Sequence, residues 1–322
     1  MAMSTPAPVA DESSGTPRRR RRHSNRRHDA ITGWGFMAPF AVMFILVFLI
    51  PIIVSVRQSF YRQVAGGGLY GGGKVTNEFA GLENYRNVVT SSHFWSGMGR
   101  VVGYGAFQIP VMIIMALALA LLVDSWLVRH VTPFRLGFFL PYAIPGIVAA
   151  MVWLYIYTPE ISPLVKALSV VGIHVDFMSP NFILASMANM TTWTYTGYNM
   201  LIFLAALQAI PRELYEAARI DGASEWKVVT QVKIPLVGSA ALLAVLLSII
   251  GTVQLFNEPS VMATVNPWMG KDYMPMLMAY NSMMGGISPS GEGPASAISI
   301  VMALLAGVLA VIYALAQRRL AR

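Results

Sequence analysis

The chain has 322 residues, of which 23 are Lys or Arg and 15 are Asp or Glu, so that 12% are charged and 56% are apolar. That charge share is about half of what a soluble domain carries, and it is clustered: residues 30–56, 101–123, 136–159, 177–211, 234–257 and 293–317 hold no charge at all. These numbers exclude a soluble globular enzyme and a disordered chain, and the absence of cysteine excludes a disulfide scaffold.

A bilayer core about 30 Å thick takes about 20 residues at 1.5 Å each, so every charge-free run is long enough to cross it. The expected fold is all-α and integral to a membrane, with six transmembrane helices. Residues 1–29, rich in Pro, Ser, Thr and Arg, read as a disordered basic cytoplasmic tail, and 30–322 as the six-helix transmembrane domain. Spans are expected at about 33–57, 100–123, 136–158, 182–209, 236–257 and 295–317. The first run is too long for the apolar core of a signal peptide, about 7–15 residues, and ends in Ser55-Val56-Arg57 without a cleavage site. Pro39 and Pro51 predict kinks within it. An outer loop, 58–98, carries the glycine-rich piece Gly66–Gly73. Its Gly68-x-x-x-x-Gly73-Lys74-Val75 nearly fits a phosphate loop but lacks the hydroxyl that holds magnesium, and it reads as a flexible turn. Span three contains Pro141 and Pro145. Asn189-Met-Thr191 has the glycosylation pattern but falls inside span four. The stretch 273–291 is uncharged but broken by Pro275, Gly285, Gly286, Pro289 and Gly291, which predicts an interfacial or re-entrant segment.

Seven basic residues, Arg18–Arg22 with Arg26 and Arg27, precede span one. No aromatic residues interleave with them, so they read as a topology marker against lipid headgroups, and no nucleic-acid partner is expected. With both termini cytoplasmic, 16 of the 23 Lys and Arg fall on the inner side. The positive-inside rule favours that orientation.

The inner loop 211–235 is the most informative segment. Pro211 suits a first helical position, Gly222 a helix stop and Ser224 the cap of a second short helix, which should end before Pro235. Leu214, Ala217, Ala218 and Asp221 share one face, and the two alanines make a smooth surface that another protein can approach closely. The loop resembles the EAA signature of bacterial ATP-binding-cassette importer permeases. Glu216, Ala217, Ala218, Gly222 and Pro235 match at that spacing, with Val232 and Ile234 in place of Ile and Leu and Val229 where the sugar branch often has Phe. Phe79-Ala-Gly-Leu-Glu-Asn-Tyr85, Phe134-Arg-Leu-Gly-Phe-Phe-Leu-Pro141, Gln254-Leu-Phe-Asn257-Glu258-Pro259 and Gly293-Pro-Ala-Ser-Ala-Ile298 resemble the carbohydrate-uptake branch. The chain departs from that branch at Met262–Pro267, where a Leu-Thr and glycine run is usual.

The resemblance implies a type I importer permease of the bacterial cytoplasmic (inner) membrane. Its implied partners are a second permease subunit, usually a related chain in a heterodimer, two ATPase subunits and an extracytoplasmic sugar-binding protein. ATP and Mg would bind the partner ATPase, leaving no cofactor or metal in this chain and no catalytic residue. Glu216, Ala217, Ala218, Asp221, Gly222, Trp226 and Pro235 would couple to that ATPase. The residues support the energetic part independently. The six runs hold no Asp, Glu, Lys, Arg or His, whereas ion-driven carriers keep charge relays within their spans. A sugar pathway needs aromatic faces, amides and hydroxyls, and span four supplies Asn189, Trp193, Tyr195, Tyr198 and Asn199. Gln254, Asn257 and Glu258 near the outer end of span five form a second candidate patch. Interhelical hydrogen bonding explains the same polar groups equally well. The competing readings are an ion-coupled secondary transporter and an integral membrane enzyme, for which His93, His130, His174 and Asp176 are scattered without metal spacing.

Overall fold

A computed structural model describes residues 26–65, 75–125 and 130–320. Most of the basic tail and the glycine-rich near-phosphate-loop piece lie outside the described residues. The chain divides into two units, Met1–Ile53 and Val54–Arg322.

In the first unit, α1 (Arg26–Phe44) runs into a π turn (Ile45–Leu49) and then into the start of α2 (Ile50–Gln58), whose last five residues belong to the second unit. The chain is therefore already helical at Arg26, the first described residue, within the segment read as tail. Phe40, Phe44 and Phe48 stack at successive four-residue steps, with ring centroids 6.0 and 5.6 Å apart. The irregularity expected at Pro51 takes the form of the π turn. Ile50 N–H reaches five residues back to Ile45 O, just before a proline that has no N–H to give.

After the end of α2, the second unit has a hairpin, β1 (Tyr61–Ala65) paired antiparallel with β2 (Val75–Phe79), which the sequence reading left as loop. Then come α3 (Glu83–Thr90) and α4 (Ser92–Val123), which starts eight residues before the expected span. The motif Phe79–Tyr85 has a structural reason. Asn84 Nδ2 donates to Ser59 O and Tyr61 O, both at 2.8 Å, and Tyr85 Oη lies 2.6 Å from Ser59 Oγ. Gly293 is explained in the same way, since any side chain there would strike the carbonyl of Tyr61.

The segment expected as one span at 136–158 is two helices, α5 (Val131–Ala143) and α6 (Gly146–Tyr157), bent by 95°. Pro145 causes the break. The residue before a proline avoids helical backbone, and Ile144 is extended, at φ −80 and ψ 133. After α7 (Pro163–Val170) comes α8 (Ile183–Gln208). The inner loop carries α9 (Arg212–Ile220), α10 (Glu225–Val228), a second π turn (Val229–Lys233) and α11 (Ile234–Leu236). The chain ends with α12 (Gly238–Val253), α13 (Asn257–Met262), α14 (Pro275–Met283) and α15 (Glu292–Leu320). The broken stretch 273–291 thus contains the short helix α14, with Met274, Leu277 and Ser282 buried.

Thr32–Gln58, Ser92–Val123, Gly238–Met262 and Glu292–Gln317 are long and apolar enough to cross a membrane, and the bent pair α5–α6 passes the same test as a unit. Helix α8 is long enough, at 26 residues, but its Thr, Asn, Trp and Tyr side chains make it more polar than the others.

Two apolar clusters hold the second unit together. One gathers Phe94, Met98, Val101 and Tyr104 of α4 with Met187 and Met190 of α8, Met262, Met274 and Met302. The other sets Ala116, Ala120 and Val123 of α4 against Met200, Phe203, Leu204 and Leu207 of α8, with Val237 and Ala244. Small residues four apart let α4 and α8 approach closely, and the buried methionines fill the irregular gaps between helices.

Candidate functional site

Gln108 and Met112 lie on α4 between the two clusters, and Thr191 to Asn199 lie between them on α8. Residues of both helices there border a cavity of about 290 Å³. One wall is a tyrosine cluster. Tyr142, just before the α5–α6 break, stacks on Tyr198 at 4.7 Å and stands edge-on to Tyr195 at 5.7 Å. The opposite wall is Ser248, Gly251 and Thr252 of α12, followed by Gln254, Asn257 and Glu258.

The polar groups are held in place from behind. Tyr104 Oη donates to Thr191 Oγ1 at 2.6 Å, and Thr191 Oγ1 donates to Glu258 Oε1 at 2.9 Å. This chain ties α4, α8 and α13 together. Asn199 Nδ2 donates to Tyr195 O at 3.0 Å and touches Met112 Sδ at 3.6 Å, and its oxygen has no partner in this network. Asn257 lies against the start of α6, where a β-carbon on Gly146 would overlap its amide. Aromatic faces beside amides, hydroxyls and one carboxyl suit a polyhydroxylated ligand.

Of the pathway residues expected from sequence, Tyr195, Tyr198, Asn199, Gln254, Asn257 and Glu258 line this cavity. Asn189 and Trp193 do not. They sit on the face of α8 turned to α6, where Asn189 Nδ2 donates to Tyr157 Oη at 2.8 Å and Trp193 stands edge-on to Trp153 at 5.8 Å. Gln108, Met112 and Tyr142 were missed. The lone amide of Gln108 in the run 101–123 was the available signal, since a polar side chain in a span faces protein or cavity. Tyr142 carried no such mark, because its position depends on the bend after it.

Glu258 needs a correction. It stands one residue past the charge-free run 234–257, and the sequence reading placed it near the outer end of span five. The structure continues the apolar helical stretch to Met262 and buries Glu258 to 7% exposure. An acid therefore lies on the helical stretch that continues this charge-free run.

The inner loop forms the helix–turn–helix expected. Gly222 adopts φ +79, which ends α9, and Ser224 Oγ accepts from Lys227 N–H at 3.4 Å to cap α10. Pro211 lies one position earlier than expected, at the cap of α9. The second helix does not end before Pro235. A π turn, closed by Ile234 N–H to Val229 O, carries it through the proline, as the first π turn does ahead of Pro51. Arg219 Nη2 reaches Glu225 Oε1 at 2.8 Å across the turn. Glu216, Ala217, Asp221, Gly222, Trp226 and Pro235 are exposed, and Ala218 is half-buried. Leu214, Ile220 and Trp226 are exposed apolar side chains, Trp226 at 74% exposure. Val228, fully buried, and Tyr215 anchor the inner side. Burial pushes the Tyr215 hydroxyl above its ordinary pKa, and the nearby Asp124 adds to this.

At the Ser92 end of α4, away from this loop, a second cavity of about 540 Å³ is lined by Ser96, Trp268 and Asp272 among others. His93 Nδ1 meets Asp272 Oδ2 at 2.8 Å, and the Arg100 guanidinium lies 4.3 Å from the Tyr273 ring centre. Burial raises the Tyr273 hydroxyl, with Arg100 opposing.

Long apolar helices with a polar cavity among them and an exposed loop at one end suit a transport subunit. The family described as "Binding-protein-dependent transport system inner membrane component" matches residues 109–322, and the chain belongs to it. The lactose transport system permease protein LacF of Rhizobium radiobacter is 31% identical over 242 residues, covering 74% of this chain and 78% of that one. The crystal structure of a bacterial ATP-binding-cassette transporter that imports the acidic polysaccharide alginate superposes with a TM-score of 0.71 at 17% identity, over 92% of this chain and 100% of that one. A structure of the alginate transporter in complex with its alginate pentasaccharide-bound periplasmic protein matches with a TM-score of 0.69 at 18% identity, over 91% and 96%. The chain is therefore a multi-pass membrane permease of the sugar-importer kind.

Proposed function

We propose that this chain is one of two permease subunits of an importer that carries a sugar, whether a mono-, di- or oligosaccharide or a glycerol-phosphate-like polyol, into the cytoplasm on energy supplied by a separate ATPase. The observation that carries this reading is the cavity walled by Tyr142, Tyr195, Tyr198, Asn199 and Asn257, set between helices that run directly into the exposed loop. Helices α8 and α12 flank that loop in the chain, so a displacement of the loop moves two walls of the cavity.

In this reading six spans cross the membrane: the four apolar helices, the bent pair α5–α6 and the polar α8. Both termini and the loop 211–235 face the cytoplasm. Polar side chains on α8 are tolerated in lipid because they face the cavity and its neighbours. The exposed side chains of this loop, Leu214, Glu216, Ile220, Asp221 and Trp226 among them, dock in a groove of the ATPase. ATP and Mg bind there, not in this chain. An extracytoplasmic sugar-binding protein delivers to the opposite end, and a second, related permease completes the pathway. Glu258 serves as a hydrogen-bonding wall of the cavity.

The chain has no cysteine, so single cysteines introduced at 226 and 268 report sidedness cleanly. Labelling of both from the same side would overturn the topology. Glu216→Lys and Gly222→Asp are expected to abolish ATPase copurification or to uncouple transport. Normal transport with the ATPase retained would refute the docking role of the loop.

A further inference from the structure

Asp124 stands at the C-terminal cap of α4, where a carboxylate meets the negative end of the helix dipole and is unfavourable on its own. It is also mostly buried, its side chain 19% exposed. What offsets both costs is Lys233, 13% exposed, whose Nζ donates to Asp124 Oδ2 at 2.6 Å. Lys233 in turn lies 5.2 Å from the ring centre of Tyr215 on α9. Three separate pieces of chain meet at this point: the end of α4, the π turn of the inner loop and the first helix of that loop.

The chain connectivity makes the pair matter. Helices α8 and α12 are covalently continuous with the loop, but α4 is far from it in sequence. Among the described residues, Lys233 to Asp124 is the one side-chain hydrogen bond between the end of α4 and the loop. Helix α4 supplies Gln108 and Met112 to the cavity, and Gln108 lies sixteen residues, about 24 Å, from Asp124 along the helix axis. A wide π turn places Lys233 here, and such turns often sit at functional points of helices.

We infer that Asp124 and Lys233, with Tyr215, form a positioning pair that clamps α4 to the docking loop, so that loop displacement moves the third wall of the cavity together with the other two. The inference rests on the docking role proposed for the loop. The pair does not touch the ATPase itself.

The test uses the assembled importer in lipid nanodiscs, with spin labels on cysteines introduced at the exposed positions Lys227→Cys on the loop and Gly103→Cys on α4, and with ATP, Mg and vanadate as the only ligands. With the pair intact, both labels are expected to shift on nucleotide trapping. In Asp124→Lys or Lys233→Asp the loop label should still shift and the α4 label should not, while the exchanged pair Asp124→Lys/Lys233→Asp should restore it. Lys233→Met, which keeps the packing on Tyr215, should behave as the single charge variants do. An α4 label that still shifts in the single variants, or an exchange that restores nothing, overturns the clamp. Loss of copurified ATPase in Lys233→Met also overturns it, because the pair would then serve docking. A loop label indifferent to nucleotide with the pair intact overturns the docking role and the clamp with it.

Discussion

Thr191 donates its hydroxyl to Glu258 Oε1 at 2.9 Å while accepting from Tyr104 Oη at 2.6 Å. One threonine thereby satisfies a buried carboxyl and a buried phenol and fixes α13 against α8 and α4 at the cavity wall. Thr191→Val keeps the shape but removes both partners. A buried polar group left without its partner costs about 1–3 kcal/mol. The expected outcome is a lower thermal midpoint of the purified complex, with Thr191→Ser close to the parent. Equal midpoints for valine and serine would show that the network contributes nothing.

The cavity and the α6-facing side of α8 are expected to differ in their effect on uptake. Asn257→Ala and Asn199→Ala should raise the KM for the transported sugar by about two- to tenfold, the value of a hydrogen bond of about 0.5–1.5 kcal/mol. Trp193→Ala should instead lower stability by about 1–3 kcal/mol with KM unchanged. Uptake measured in proteoliposomes at matched complex content decides this. A KM effect for Trp193→Ala with none for the two asparagines would reverse the assignment.

Gly197 is where α5 crosses α8. A β-carbon there would occupy the position of the Phe138 carbonyl oxygen. Gly197→Ala must push α5 away and should cost about 1–3 kcal/mol, the usual range for overpacking. Gly137, on α5 with open space around its Cα, provides the control. Gly137→Ala should be neutral or stabilising by up to about 1 kcal/mol, as expected for glycine to alanine in a helix. Thermal scanning of the two variants side by side would show whether the crossing depends on that contact.

Gly222 ends α9 at φ +79. Left-handed backbone costs an ordinary residue about 1–2 kcal/mol, so Gly222→Ala should loosen the turn between α9 and α10 without adding charge. ATPase affinity is expected to fall several-fold, whereas Ala217→Ser, on the exposed face, should leave the turn intact. Unchanged affinity in Gly222→Ala would mean that the turn geometry is not needed for docking.

Much of the inner loop was legible because its signals are local. Gly222, Ser224 and the spacing of Leu214, Ala217, Ala218 and Asp221 act within one or two turns of their own position, so α9 and α10 fall where the pattern puts them. The hairpin strands 61–65 and 75–79 also had a local signature, Tyr-Arg-Gln-Val and Val-Thr-Asn-Glu-Phe on either side of a glycine-rich stretch of sequence. It was hidden because its surroundings read as featureless loop. The 95° break at Ile144 was half legible: Pro141 and Pro145 marked a weak point, but some prolines kink a span and others end it, and packing decides which.

What the sequence alone determined is the class of protein: charge-free runs of bilayer length, the basic bias of one side and a loop with a long specific spacing. These follow from transfer free energy and from backbone preferences, which act residue by residue. Tertiary structure alone decided which polar side chains share a cavity. It turned Trp193 and Asn189 to α6, brought Tyr142 in from beyond a bend, buried Glu258 beneath Thr191 and set Lys233 on Asp124. Those pairings join residues far apart in the chain, and nothing in local periodicity encodes which helix faces which. Helix rotation is settled by the packing of small residues such as Ala116, Ala120 and Gly197 against their neighbours, and that packing exists only once the chain has folded.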